Sequence, residues 1–421
     1  MAIAILSKPT DDSINSVYRP IVYEVECPDT SGSLELVRSS IKLYINGSVV
    51  NNNNPIIQDP DLDQTGGTAD HTQFTFDISG VARNYITSDL QALGGEGDLS
   101  AANSMKTLYI VVGGIYKNTA TNVLTEASTA GFSGNVCYIF NGVYQHQDTQ
   151  GFSAYELVSS TKKFLTNFPR SGSETVTRAS RIKIKTDESY LLSAIDTSSA
   201  SDTYIRVDTY NSSDSLITVF KIDADPSLVR HDLGVGCSNF ANLVTGDMHS
   251  GNTGTLPIIT SSVAYYNVHL NDAAALGNIS EMMTFEIDRK CHDYSTRFNW
   301  LNRLGGFDSW TFDGAFSRGQ NQSKALYEQN LDYSFNVYDS ETGINAVESK
   351  NTFSAYSGLL NGDKRQWLEE LFTSPEVYVV EGGNNVPILI TDSQVKTIDD
   401  DKNLIQVKIN YTYAYQNVIN V

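Results

Sequence analysis

The sequence predicts a mainly β protein, built from several antiparallel β-sandwich or jelly-roll-like domains with few short helices. Its 421 residues include 23 tyrosines and 17 phenylalanines but only 5 methionines. Aromatic residues favour strands, and many short apolar runs separated by polar connections are typical of sandwiches and barrels. Because one hydrophobic core seldom serves a chain of this length, we expect three domains, spanning residues 1–150, 151–280 and 281–421.

The first predicted domain, residues 1–150, shows the strand pattern in a simple form. Ile41, Leu43 and Ile45 are separated by Lys42 and Tyr44. A period of two places the three apolar side chains on one face and their neighbours on the other. We therefore expect a strand with one face in a core and the other in water.

The second predicted domain, residues 151–280, contains the clearest hairpin. Two alternating runs at residues 204–210 and 216–222 are joined by the polar residues 211–214, which is a typical hairpin pattern. Sandwiches of this kind include sugar-binding proteins, although a fold does not assign a function. A sugar-binding domain here predicts a shallow aromatic platform within residues 176–275.

The third predicted domain, residues 281–421, holds the best helix pattern of the chain, over residues 363–372. Trp367, Leu368, Leu371 and Phe372 fall on one face of such a helix. Asp363 precedes them as a candidate N-terminal cap. A further strand is predicted over residues 333–338, where aromatic and polar residues alternate.

An aromatic hairpin is predicted within residues 297–312. A glycine pair gives the backbone the freedom to turn, and the aromatic residues on either side are expected to pack across the two strands. A core hairpin is the ordinary interpretation, and an interface is the alternative. The core or interface motif, completed by a helix residue, consists of Trp300, Gly305, Gly306, Phe307, Trp310, Phe312 and Trp367.

The charge balance excludes several classes of partner. The formal net charge is −20, which repels a phosphate backbone, so we expect no nucleic-acid binding. There is no basic run for an anionic membrane, and no apolar run approaches the ~20 residues that span a bilayer. The opening residues lack the pattern of a signal peptide. We therefore expect a chain that stays in the cytoplasm or leaves it by a route such as lysis.

The four cysteines, Cys27, Cys137, Cys237 and Cys291, lie far apart in the sequence. They show no CxxC spacing, so a disulfide framework or a zinc site built on them is not expected. We predict four buried free thiols.

One loop resembles a calcium-binding loop. Asp59, Asp61, Asp63 and Asp70 stand at positions 1, 3, 5 and 12 of an EF-hand-like segment, and calcium prefers such oxygen ligands. However, Gln64 occupies the position that requires glycine, and no amphipathic helices flank the loop. A solvated turn is therefore the favoured interpretation, and these aspartates are weak calcium candidates.

No catalytic residue is predicted. The sequence contains no nucleophile elbow, metalloprotease motif or phosphate-binding loop. His292 and Asp293 are adjacent and could serve acid–base chemistry, but such a pair is far more often part of a turn. The spacing of two catalytic carboxylates is set in three dimensions, so the sequence nominates none. We expect a protein without enzymatic activity and without a cofactor.

Several short motifs resemble segments of structural proteins from tailed bacteriophages that infect Bacteroidetes. They are Trp300-Leu-Asn302, Leu304-Gly-Gly-Phe-Asp308, Trp310-Thr-Phe312, Trp367-Leu-Glu-Glu-Leu371, Ser374-Pro-Glu-Val-Tyr378, Pro387-Ile-Leu-Ile-Thr-Asp392, Tyr18-Arg-Pro-Ile-Val22, Tyr44-Ile-Asn-Gly47 and Phe76-Asp-Ile-Ser79. The resemblance implies a virion component of the tail, baseplate or neck that forms rings or trimers, has no cofactor and contacts other virion proteins. A host surface glycan is a further candidate partner.

This resemblance leads us to expect a non-enzymatic tail or baseplate protein that assembles into a symmetric oligomer and contributes to host attachment. Two alternatives remain open from the sequence. One is a carbohydrate-binding receptor module of a tail fibre. The other, less favoured, is a glycan-degrading tailspike, which needs a cleft with two carboxylates.

Overall fold

The computed structural model describes residues 3–28, 30–31, 34–50, 56–58, 71–128, 136–142, 152–169, 181–196, 202–273, 277–331, 333–334, 336–399, 403–415 and 417–420. The chain divides into two compact units. The first unit comprises Met1–Leu90, Ser100–Glu156 and Arg303–Gly305, and the second comprises Gln91–Leu99, Leu157–Asn302 and Gly306–Val421. The division into three domains at residues 150 and 280 stays a prediction.

The strands follow one another along the chain with few helices between them. They are β1 Ala4–Ser7, β2 Ile14–Ser16, β3 Val22–Pro28, β4 Thr30–Ser31, β5 Leu34–Ile45, β6 Ser48–Val49, β7 Ile56–Gln58, β8 His71–Asp77, β9 Gly97–Ser100, β10 Met105–Asn118, β11 Leu124–Ser128, β12 Cys137–Phe140, β13 Ile182–Lys185, β14 Leu191–Ile195, β15 Thr203–Tyr210, β16 Leu216–Asp223, β17 Arg230–Gly234, β18 Tyr265–Asp272, β19 Gly277–Asn278, β20 Met283–Asp288, β21 Thr296–Leu301, β22 Phe307–Phe312, β23 Phe316–Glu328, β24 Thr342–Asn361, β25 Val377–Glu381, β26 Asn384–Asp399, β27 Leu404–Tyr413 and β28 Asn417–Asn420.

The helices of the described residues are short. They are α1 Ser79–Arg83, α2 Cys237–Asn242 and α3 Arg365–Thr373, with 3-10 turns at Phe152–Ala154, Thr245–Asp247 and Gly362–Lys364. None of these helices is long and apolar enough to cross a bilayer. The prediction of a mainly β protein with few short helices is confirmed.

The first unit is a sandwich of two sheets. One has the strand order β1-β3-β8, and the other runs β2-β12-β10-β5-β4, with β6, β7 and β11 alongside. The alternating residues of β5 point inward as predicted: Ile41 and Leu43 are fully buried. They share one core with Val25 of β3, Phe74 of β8 and Ile110 of β10. Burying these alternate side chains is what holds the two sheets together.

The second unit contains three sheets. Their strand orders are β13-β20-β18-β15-β16 with β19 alongside, β14-β17-β9, and β22-β21-β25-β26-β27-β24-β23 with β28 alongside. Val207, Leu233 and Val407, one from each sheet, belong to the same hydrophobic cluster. The predicted hairpin is present as β15 and β16, which pair antiparallel. β2 pairs parallel with β12, and β13 pairs parallel with β20.

The predicted amphipathic helix is present as α3, preceded by a 3-10 turn. Trp367, Leu368 and Leu371 are buried as expected. The cap differs from the prediction, because the side chain of Asn361 accepts the hydrogen bond from the Asp363 amide. Starting with a 3-10 turn moves the cap two residues upstream of Asp363.

Two further predictions are corrected. Residues 333–334 and 337–338 lie in turns and not in a strand, because alternation alone cannot separate a strand from a turn whose aromatic residues remain in solvent. Cys291 is exposed, whereas Cys27, Cys137 and Cys237 are buried free thiols as predicted. The exposed thiol lies in the irregular connection between β20 and β21.

Candidate functional site

The most prominent surface feature of the second unit is a long hairpin formed by β23 and β24. We call these two strands, with the described residues between them, the arm. The 13 residues of β23 pair antiparallel with β24, from Phe316 opposite Ala355 to Glu328 opposite Thr342. At roughly 3.3 Å per residue, β23 extends about 40 Å.

Pairing on the far side of the arm is uneven. β24 pairs with β27 over Thr352–Asn361 and with β28 over Ala346–Ser349. β23 lies at the end of its sheet, where β24 is its neighbour. Within the described chain, its outer backbone N–H and C=O groups therefore form an open edge of the kind that can pair with another chain.

The side chains of the arm are exposed along most of its length. Every residue of β23 after Phe316 is exposed. Leu326 and Ile344 face each other across the pair, and both are exposed. An apolar pair exposed to solvent suggests an interaction site, because exposed apolar patches mark such sites more often than single exposed residues do.

The connection at the end of the arm carries the most exposed apolar side chains in the described chain. Val337 is 97% exposed and Tyr338 is 95% exposed, and Tyr333 is exposed as well. A turn orders this region, since the Asp339 amide donates to the Asn336 carbonyl at 2.9 Å. We call Tyr333, Val337 and Tyr338 the tip.

The base of the arm is fixed to the hydrophobic core by stacked rings. Phe353 of β24 lies 5.0 Å from Tyr411 and 6.1 Å from Phe316, between ring centroids. Tyr294 stacks on Phe316 at 6.3 Å. A rigid base with an exposed outer half is suited to contacting another molecule without rearrangement of the core.

The predicted aromatic motif forms part of the core. Trp367 of α3 lies 5.0 Å from Trp300 and 5.6 Å from Trp310, between ring centroids. Phe307 and Phe312 are also buried. The three tryptophans form a cluster between α3 and the β21–β22 hairpin.

The turn of that hairpin uses its glycines as expected. Gly305 has φ +82°, and a Cβ there would collide with the carbonyl of Asn141. A Cβ on Gly306 would lie 2.8 Å from the Leu165 carbonyl. Both positions therefore require glycine for space, and Gly305 also requires it for backbone conformation.

A buried carboxyl group belongs to the tryptophan cluster. Asp308 Oδ2 accepts hydrogen bonds from Trp367 Nε1 at 2.8 Å and from Asn302 Nδ2 at 3.0 Å. Burial, with the nearby charge of Glu370, raises the pKa of Asp308 to about 7. Burial likewise lowers the pKa of Lys364 to about 8, and its ammonium lies over the ring of Trp310.

The structure describes one of the two groups of residues that the sequence singled out for metal binding or acid–base chemistry. The calcium candidates Asp59, Asp61, Asp63 and Asp70 lie outside the described residues. His292 pairs with Asp288 and Asp313, and not with the adjacent Asp293 that the sequence suggested. The sequence missed this trio because Asp313 is distant in the chain and carries no motif.

The aromatic platform predicted within residues 176–275 is not present in the described part of that range, where no aromatic side chain is exposed. Tyr265 lines a cleft of about 230 Å³ together with Arg181 and Asp214. Its ring stacks on Tyr210 at 4.8 Å, and the Arg181 guanidinium lies 4.0 Å from its centroid. These neighbours already occupy the ring faces that a sugar would need.

The arm was missed at the sequence level. The alternation at residues 333–338 predicts a strand there instead, and residues 317–324 contain no apolar alternation that would predict one. The run of Gln, Asn and Ser in β23 was the available signal. This composition is typical of a strand with solvent on both faces. Composition alone does not predict whether such a run forms a strand paired with another strand.

No family of known proteins is identified for this chain, since neither a family model nor a curated protein matches it. Among solved structures, a mutant of Salmonella alpha-2-macroglobulin is similar at 7% identity and a TM-score of 0.16, over 100% of this chain and 34% of that one. The BSP domain of a biofilm-associated protein is similar at 8% identity and a TM-score of 0.15, over 79% of this chain and 60% of that one. This chain thus spans less than two thirds of either protein, and likenesses this weak carry no functional argument.

Proposed function

We propose that this chain is a non-enzymatic structural protein of a bacteriophage particle, located in the tail or baseplate, that assembles into a symmetric oligomer through its arm. The resemblance of its motifs to tailed-phage structural proteins suggests the particle. The observation that carries the proposal of assembly is the exposed arm with its apolar tip. Its partners are further copies and other virion proteins, and no cofactor is required.

The energetics of the tip favour repeated contacts over a single one. Covering a side chain such as Tyr338 contributes about 1.5–3 kcal/mol. Association costs at least about 4 kcal/mol before any gain is seen. One such side chain is therefore too weak alone, whereas in a closed ring every copy both offers an arm and receives one.

The edge of β23 offers a second contribution. Its outer backbone groups can pair with a strand of a neighbouring copy, and main-chain hydrogen bonds of this kind give affinity with little demand on sequence. Arg318 and Lys324 lie on this strand, and charged residues on an edge discourage indiscriminate pairing. The edge is thus available to a partner that matches it and protected from others.

The test is the mass of the purified chain by light scattering at several concentrations. The wild type is expected to form a defined trimer, hexamer or larger ring. Replacing the tip residues together, Val337→Ser with Tyr338→Ser, should lower that mass toward the monomer. The matched control is Val244→Ser, which changes a valine that is 60% exposed outside the arm and should leave the mass unchanged.

A monomeric wild type that is also missing from purified particles would contradict the proposal. If the mass falls equally in the Val244→Ser control, the arm has no specific role in the proposed assembly. The receptor-module alternative keeps one candidate place, the cleft lined by Arg181, Asp214 and Tyr265, where polar contacts and not ring stacking would hold a sugar. Glycan arrays test it, and specific binding that is lost in Tyr265→Ala would favour that alternative.

A further inference from the structure

A histidine lies between two aspartates at the base of the arm. Asp288 ends β20, His292 lies in the connection to β21, and Asp313 follows β22 shortly before the arm begins. His292 Nε2 is 3.1 Å from Asp288 Oδ2, and His292 Nδ1 is 3.9 Å from Asp313 Oδ2. One potential ligand atom from each of the three residues lies within 4.8 Å of the others, the one such group in the described residues.

The carboxylate of Asp288 is held in position by neighbouring backbone. Asp288 Oδ1 accepts from the Lys290 amide at 2.9 Å, which leaves Oδ2 directed at His292. The carboxylate of Asp288 is therefore held by its own loop, with Oδ2 on the side of the imidazole.

Asp313 is fixed where the chain enters the arm. The next residue, Gly314, donates its amide hydrogen to the Tyr356 carbonyl at 2.9 Å. Across the arm, Gly358 leaves room for the carboxylate, because a Cβ there would lie 2.7 Å from Asp313 Oδ1. The second carboxylate is thus brought toward His292 by the pairing of the arm and not by its own hydrogen bonds with the ring.

The spacing of the trio suits a small cation. Zinc binds imidazole nitrogen and carboxylate oxygen at about 2.0–2.2 Å, so two donors on one ion are roughly 3–4 Å apart. The separation of 3.9 Å between His292 Nδ1 and Asp313 Oδ2 is too long for a hydrogen bond. Less than a third of each side chain is exposed, so the gap lies in a partly enclosed place.

We propose that Asp288, His292 and Asp313 form a binding site for a divalent transition-metal ion, represented by Zn²⁺. A turn of the imidazole ring presents one nitrogen to the ion, and water completes the coordination. Two carboxylates with one imidazole suit zinc better than calcium, which takes six to eight oxygen ligands. The ion links the β20–β21 connection to the base of the arm.

The surroundings set the strength of the site. Lys183 and Lys185 line a small cleft together with Asp288 and Asp313, and their positive charges oppose a cation. Three protein ligands also bind zinc less firmly than the four of a closed structural site. We therefore expect reversible binding that a chelator removes without unfolding the chain.

The experiment is calorimetric titration of the full chain with zinc chloride after chelator treatment. The wild type is expected to bind one ion per chain, and the melting temperature should rise when zinc is present. His292→Ala and Asp313→Asn should each weaken binding at least tenfold. Circular dichroism of every variant confirms that it is folded.

Two control variants separate this site from other zinc ligands. Cys291→Ser removes the exposed thiol adjacent to His292 and should retain binding. His249→Gln changes a histidine that pairs with Asp202 outside the trio and should also retain it. The proposal is overturned if the wild type binds no zinc, if folded His292→Ala binds as tightly as the wild type, or if Cys291→Ser abolishes binding. Zinc binding is measured directly, so it is independent of assembly. A chain that binds no zinc can still form the proposed oligomer, and a monomeric chain can still bind zinc.

Discussion

Two consecutive hairpins of the second unit have opposite environments. In the β21–β22 hairpin most residues are buried, whereas in the β23–β24 hairpin almost all of β23 is exposed. Backbone pairing alone does not explain the contrast, because both are antiparallel ladders, the longer one with a register shift between Ala325 and Leu326. Both β22 and β23 lie at an end of the same sheet. The difference lies in what covers the two hairpins: Trp367 of α3 lies against the first, whereas almost all of β23 remains exposed.

The comparison shows that strand pairing and core formation contribute separately to this protein. The first hairpin is held by buried rings as well as hydrogen bonds, so its loss removes the core around it. The outer half of the arm gains little from apolar burial, so it adds little stability and remains available to a partner. Substitutions in the two hairpins should therefore differ strongly in their effect on stability.

The largest effect is expected for Trp367→Phe. The variant loses contact area with Trp300 and Trp310 and leaves Asp308 without the hydrogen bond from the indole nitrogen. Loss of buried volume together with a buried hydrogen bond should lower the free energy of unfolding by about 2–4 kcal/mol. Urea unfolding followed by the fluorescence of the remaining two tryptophans measures it. Tyr338→Ala at the tip is the control and should change stability by less than about 0.5 kcal/mol; equal losses would end the comparison.

The second prediction concerns the pH dependence of the tryptophan cluster. Burial raises the pKa of Asp308 from 3.8 to about 7, with the charge of Glu370 adding to it. Between these values the folded chain keeps a proton that the unfolded chain has released. The resulting stabilisation is fully present below pH about 4 and is lost as the pH rises through about 7, with a slope of up to about 1.4 kcal/mol per pH unit.

Asp308→Asn tests that dependence directly. The amide cannot ionise, so unfolding by urea at several pH values between 5 and 8 should show a smaller decline for the variant than for the wild type. The difference between the two chains isolates Asp308 from other titrating groups. Parallel curves for wild type and variant would show that Asp308 does not titrate in this range.

The core hairpin could be predicted from the sequence, and the arm could not. The large apolar rings of Trp300, Trp310 and Phe312 predict burial. The glycine pair predicts a turn. The helix at Trp367 followed from the 3.6-residue period, although the packing of its ring against Trp300 and Trp310 did not. In each case the signal is local, so the sequence carries it.

The arm and the trio around His292 depend on contacts between distant parts of the chain. Alternation at residues 333–338 predicts a strand, but Tyr333 and Tyr338 lie in exposed turns. Asp288 and Asp313 meet at His292 because β20, β22 and the arm are placed by the sheets. A local sequence pattern carries no information about contacts between distant segments. The sequence therefore suggested Asp293, the neighbour of His292 in the chain, instead.

A small effect on stability is expected for Leu326→Thr in the arm. Leu326 is 60% exposed and faces Ile344 across the pair, and a cross-strand pair of this kind contributes about 0.2–1 kcal/mol. Thermal unfolding should therefore shift little, and Leu389→Thr, which changes a leucine 55% exposed in β26, should behave alike. The two variants should differ in light scattering, where only Leu326→Thr shifts the oligomer toward smaller mass. A large loss of stability in Leu326→Thr alone would instead mean that the outer arm is folded into the core of the chain, and its exposed face would then have no bearing on assembly.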